Sequence, residues 1–301
     1  MKAGSLFAMV KETASDWLDD KAMRLAAALA FYTLLSLAPL LVLAVSIAGL
    51  VFGEEAARGE VVGQLQGLLG QKAALAIQEV LANAQKPSSG ILGTVVGGVV
   101  LLFGASGVFG ELQDSMNTVW DVQPKPGRGV MGFVRDRFFS FTLVLGVAFL
   151  LLVSLVVSAG LAVLGRFFST TLPGGEAVWQ VLNFLISVGI LSGLFGLIYK
   201  VVPDVKIAWR DVRIGAVVTA VLFTIGKLGI GLYLGRSGVD SPFGAAGSVV
   251  VLVVWVYYSA QILFFGAEFT QVYARHHGSR IEPAANAEAV PEATAVTPKR
   301  P

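Results

Sequence analysis

Cysteine is absent from this 301-residue sequence, histidine occurs only twice, and charged residues make up 14%, where an ordinary soluble domain carries about a quarter. Each shortage excludes something. Without cysteine there is no disulfide, no thiolate nucleophile and no Cys-ligated zinc or iron–sulfur cluster. His276 and His277 are adjacent, so on a helix they point to different faces and make a poor metal pair; neither a metal nor a cofactor is expected. The net charge of +2, with no basic domain carrying interleaved aromatics, argues against a nucleic-acid partner. Scattered acids and two late histidines argue against a metal nuclease, which needs such groups clustered in water. Low charge together with 55% apolar residues excludes a soluble enzyme, a disordered chain and a collagen-like fibre, leaving a polytopic membrane protein.

Six stretches are long enough to cross a bilayer, which takes about 20 apolar residues. They are approximately Leu29–Phe52, Gly90–Phe109, Phe138–Leu164, Ala177–Tyr199, Ile214–Leu234 and Ala245–Ala267, and the only charge within them is Lys227. Helices are expected throughout, because an open sheet in lipid leaves backbone groups unpaired. Sixteen of the Lys and Arg residues fall in the N-terminal segment, the loops after spans two and four, and the tail; five fall in the other loops. The positive-inside rule then puts both termini in the cytoplasm, as an even number of spans requires. The expected fold is an all-α polytopic membrane protein with six transmembrane helices. The first run is too long for a signal h-region and reads as a retained span.

Three segments lie outside the spans, two flanking the 29–276 membrane domain and one, residues 53–89, within it. Residues 1–28 include a helical face of Phe7, Val10, Ala14, Trp17 and Leu18, which suits a helix lying in the cytoplasmic interface or one packed beneath the bundle. Residues 53–89 form a long outside loop with helical apolar spacing, either a cap over a cavity or a pair of helices shielding the bundle. Residues 277–301 are rich in Ala, Pro, Glu and Thr and are expected to be disordered.

Several faces could carry chemistry. At 100° per residue, Gly93, Gly97, Gly104 and Gly107 fall within about 40° of Glu111, a small-residue seam for helix packing that ends in a carboxylate. Tyr257, Gln261 and Glu268 make a polar stripe on span six, which should face protein or a water-filled cavity. Lys227 shares its face with Ala216, Ala220, Thr224 and Gly231 and is expected to point inward, as a substrate or coupling site or as a structural ion pair. Pro39 interrupts the backbone ladder of span one, its ring crowding the carbonyl of Leu35, and a kink is expected.

The segments Ala26–Pro39, Gly107–Gln113, Gly226-Lys227, Gly244–Ser248, Trp255–Gln261 and Phe265–Thr270 occur in an order that resembles the YihY/BrkB family of bacterial inner-membrane proteins, over roughly Asp19 to Arg275. The resemblance implies a multi-pass protein of the bacterial inner membrane with six spans. Family members often carry Tyr where Phe243 stands here, which removes any hydroxyl role at that position. Virulence-factor and ribonuclease BN labels have been attached to the family, but the resemblance supplies no catalytic residues. The expected activity is movement of a solute, ion or lipid, lined by Lys227, Glu111, Glu268, Tyr257 and Gln261; the alternative is a non-transporting envelope scaffold. Expected partners are membrane lipids, with a homo-oligomer or envelope proteins as further options.

Overall fold

A computed structural model describes residues 3–53, 107–126, 175–237, 247–278 and 281–290, with isolated positions between 55 and 78. Helices dominate: α1 (Ala3–Asp19), α2 (Ala22–Phe52), α3 (residues 107–119), α4 (Gly175–Val201), α5 (Trp209–Ser237) and α6 (Gly247–His277). Expected spans one, four and five fall within α2, α4 and α5, and span six falls within α6 from Gly247 onward. Span three, most of span two, the 53–89 loop apart from a few positions, and Gly93, Gly97 and Gly104 lie outside the described residues. Position 39 lies within the continuous helix α2.

Local chemistry sets the helix ends. α4 stops two residues before Pro203, as helices usually end before a proline. Its last-turn Lys200 bonds the carbonyl of Ile207. α5 opens with Asp211 in its first turn and α6 closes with Arg275, His276 and His277 in its last, each matching the sign of the helix dipole. Lys21, at φ 55°, turns the chain between α1 and α2 in a left-handed conformation.

Helix α6 is the hub, packing against α1, α2 and α5, while α4 packs on α5. The α5–α6 contact is a reciprocal interlock of Gly and Thr four residues apart. Gly215 lies against Thr270, and Gly266 lies against Thr219 and Tyr199. Both threonine hydroxyls bond back to their own helix, Thr219 to the Gly215 carbonyl at 2.8 Å and Thr270 to the Gly266 carbonyl at 2.6 Å. The same hydroxyl oxygens lie nearest the facing glycines, Thr270 Oγ1 at Gly215 and Thr219 Oγ1 at Gly266, the close approach that small residues permit in membrane helices. Tyr199 seals the contact: its hydroxyl pairs with Thr219 Oγ1 at 3.0 Å and donates to the Leu263 carbonyl at 2.8 Å.

The core gathers at one end of the bundle. It joins Ala22, Ala26 and Leu29 from the start of α2, Met116 and Trp120, Phe195 and Tyr199 from the end of α4, and Phe264 and Ala267 from the later part of α6. We call this the terminal end, since α1 and the residues after α6 sit on it. Helix α1 is both packed and exposed. Met9 and Thr13 are buried, with Met9 clustering on Phe269 and Val272 of α6, while Leu6, Phe7, Val10 and Leu18 remain exposed, Phe7 at 74%. One face of this helix is thus packed against α6 and other positions are exposed.

The expected disorder of the tail does not extend over residues 281–290. Two small antiparallel ladders hold this segment. β1 (Val122–Pro124) pairs with β4 (Ala287–Ala289), placing Val122 opposite Ala289, and β2 (Val205–Lys206) pairs with β3 (Glu282–Pro283). The composition argument failed because the segment is held by backbone pairing with two turns and not by apolar content of its own. Asp204 completes the clasp: its carboxylate accepts from Asn286 at 2.7 Å, Asn117 at 3.0 Å and Gln113 at 3.4 Å. Its amide donates to Asn117 Oδ1 at 2.8 Å. Residues 291–301 lie outside the described residues.

Candidate functional site

Glu268 is the most enclosed ionisable group of the predicted stripe. It has no exposed surface, and neither carboxylate oxygen finds a hydrogen-bond donor among the described residues. It occupies the last third of α6, where the polar face of Tyr257 and Gln261 runs on through Glu268, Gln271 and Arg275 at helical spacing. Tyr257 and Gln261 are half-buried.

The side chain facing Glu268 is Asp20, from the corner between α1 and α2, within hydrogen-bonding contact. Asp16 on α1 and Asp121, in the turn after α3, add further negative charge. Burial, and then the charge of Asp121, push the Asp20 carboxyl up to about 6. Asp121 is also raised by burial, opposed by the amide of Gln271, which donates to its Oδ2 at 3.0 Å, and by the charge of Arg275. Arg275 is already engaged by Asp16 and, at 3.6 Å, by Glu12, while His276 lies 2.7 Å from Glu12. These contacts fasten α1 to α6 around the buried carboxylate.

The other predicted residues do not converge on this point. Lys227 is exposed, with no hydrogen bond or ion pair among the described residues. Ala216 and Ala220, on its face, are fully packed, and α6 still lies against α5 at Gly226 through Tyr258 and Ile262, but Lys227 itself stays outside that contact, so the enclosure expected for its ammonium is not found. Glu111 is half-buried on α3 and makes no ion pair with Lys227 among the described residues. Gly107 lies against Tyr32 and Ser36 of α2, with 3.6 Å of room for a Cβ. No group of three or more His, Asp or Glu is placed to hold a metal ion among the described residues.

Asp20, Asp121 and Gln271 escaped the sequence reading. Gln271 and Arg275 were findable, since the stripe's helical spacing continues to both. Asp20 and Asp121 carried no signal, because they lie in separate turns joined to Glu268 only by the packing.

Two apolar segments, Phe184–Val201 and Val249–His277, are long enough to cross a membrane, and most of their residues are not buried inside the chain. That is the reverse of a soluble protein's core helix. The profile of the Virulence factor BrkB family matches residues 13–291. The chain belongs to that family. This BrkB-family chain is 30% identical to a UPF0761 membrane protein of Vibrio campbellii over 260 residues, 83% of this chain and 77% of the relative. Identity to the UPF0761 membrane protein of Vibrio parahaemolyticus is also 30%, over 250 residues, 80% of this chain and 74% of the relative. A UPF0761 membrane protein of Tolumonas auensis is 31% identical over 193 residues, 62% of this chain, which spans only 58% of that relative. No solved structure matches. The BrkB-family chain is thus a helical membrane protein whose enclosed carboxylate lies where α1, the α1–α2 corner and α6 meet.

Proposed function

We propose that this protein moves a solute, ion or lipid across or along the bacterial inner membrane, as a six-span bundle with both termini in the cytoplasm and without enzymatic activity. One observation carries the reading: Glu268, on an apolar helix, is fully enclosed and lacks a donor among the described residues. Keeping an ionisable side chain in such a place is costly, and such residues mark ion or substrate pathways. In this reading Tyr257 and Gln261 lead along α6 to the carboxylate, and Lys227 and Glu111 bind charged parts of the cargo elsewhere on the route. Flux and lipid-scrambling assays in proteoliposomes test it. Glu268→Gln is expected to lower the rate about tenfold or more, the effect of an interaction worth about 1.4 kcal/mol or more in the barrier. Wild-type rates in both Glu268→Gln and Lys227→Ala would remove these residues from the pathway.

The exposed apolar face of α1, with Leu6, Phe7, Val10 and Leu18, favours a second reading, a scaffold that docks on lipid or an envelope protein at the cytoplasmic surface. Cross-linking from this face discriminates: a stoichiometric protein partner together with no flux supports the scaffold.

A further inference from the structure

We propose that Asp20 and Glu268 share one proton, forming a protonation site that pins the α1–α2 corner to the last helix. The inference concerns the same carboxylate as the transport reading but does not depend on it, since the pair would hold the proton whether or not cargo moves.

The geometry requires a donor that the surroundings do not supply. An ionised carboxylate only accepts hydrogen bonds, and Glu268 and Asp20 are two carboxyl groups in hydrogen-bonding contact. With both ionised, Glu268 keeps two buried oxygens without a partner beside a second negative charge. Like charges so close cannot both ionise cheaply. One proton on Glu268 resolves both problems, because its O–H then donates to the Asp20 carboxylate. The remaining charged groups facing the pair oppose ionisation or are already engaged. Asp16 on α1, Asp19 at the corner and Asp121 after α3 are acidic. Arg275 on α6 is held by Asp16 and Glu12. Neither α2 nor α5 contributes an ionic partner to the pair among the described residues. The elevated Asp20 carboxyl, outside the apolar spans, agrees with this arrangement.

The site has consequences for position as well as charge. Asp20 directly follows the last residue of α1, and the left-handed Lys21 comes next. Loss of the proton would push the corner away from α6, against the Arg275–Asp16 and His276–Glu12 contacts. The pair thus links cytoplasmic pH to the seating of α1.

Full-length protein in lipid nanodiscs provides the test. The folded pair binds more protons than the unfolded chain, so stability is greatest at low pH and falls as pH rises above about 4. One such proton predicts a fall in Tm of roughly 3–5 °C per pH unit. Glu268→Gln mimics the protonated partner and should flatten this component, with the difference between the two curves removing every other titrating group. Infrared difference spectra of the wild type should show a protonated carboxyl band at neutral pH that is absent in Glu268→Gln. Should that variant fail to fold, Asp20→Asn replaces it, with a shifted carboxyl band expected. Absence of the wild-type band, or a variant curve superimposable on the wild type, would overturn the proposal. So would stabilisation at high pH by sodium or potassium over choline, which would assign the site to a metal cation. Unchanged transport in a variant that has lost the band would instead leave the proton site standing and reject the transport role.

Discussion

The terminal end of the bundle and the flanks of its helices obey opposite rules. At the terminal end Trp120, Tyr199, Phe264 and Glu268 are fully or almost fully buried, Tyr199 and Asp204 hydrogen-bond across elements, and two ladders stitch the chain. Along the flanks, Leu35, Leu185 and Ile225 are exposed, Ile225 at 62%. In water such a surface would be an interaction or aggregation patch; in a bilayer it is the lipid contact. The contrast teaches that specificity resides where polar groups and small residues meet, while the flanks need only be apolar.

The sharpest way to break this contrast is to add a methyl group at the α5–α6 interlock. A Cβ at Gly266 would lie 2.8 Å from Thr219 Cβ, and one at Gly215 would lie 2.7 Å from Thr270 Cβ. Gly266→Ala and Gly215→Ala are expected to cost about 3 kcal/mol each by overpacking, seen as lost folded yield in detergent. The flank control is Gly189→Ala, where a Cβ meets nothing within 4 Å; it should be neutral or gain up to about 1 kcal/mol from helix propensity. Equal losses at both sites would erase the distinction.

Removal of Asp204 strips one acceptor from three side-chain donors, Gln113, Asn117 and Asn286. Asp204→Ala should cost about 2 kcal/mol, since unpaired donors bear the desolvation penalty. Limited proteolysis should then cut within residues 281–290 before the helices. Tyr199→Phe leaves the ring packing in place but loses bonds to Thr219 and the Leu263 carbonyl, so about 1 kcal/mol is expected, read as a lower Tm. The smallest effect belongs to the flank: Leu185→Ala should change Tm by an amount equivalent to no more than roughly 0.5 kcal/mol. A larger loss there would mean that the flank is covered by protein.

Much of the architecture was legible because lipid imposes a one-dimensional rule, and long apolar runs with internally paired backbones must be helices. The polar stripe of Tyr257, Gln261 and Glu268 followed from helical spacing alone. Lys227 is exposed for a physical reason. Small residues on its face predict packing, and packing is present at Ala216, Ala220 and Gly226, but which side of a helix its neighbours cover is not encoded in that helix. The tail was misread because backbone pairing needs no apolar content.

Sequence by itself determined the helical class, the apolar runs and the family, since each depends on residue type and local spacing. Only the tertiary structure decided that Asp20 and Asp121 approach Glu268, that Thr219 and Thr270 seat against glycines of the facing helix, and that residues 281–290 close the terminal end. These contacts join parts of the chain far apart in sequence. A carboxylate's chemistry depends on the groups within a few ångströms of it, and periodicity along one helix does not specify those groups.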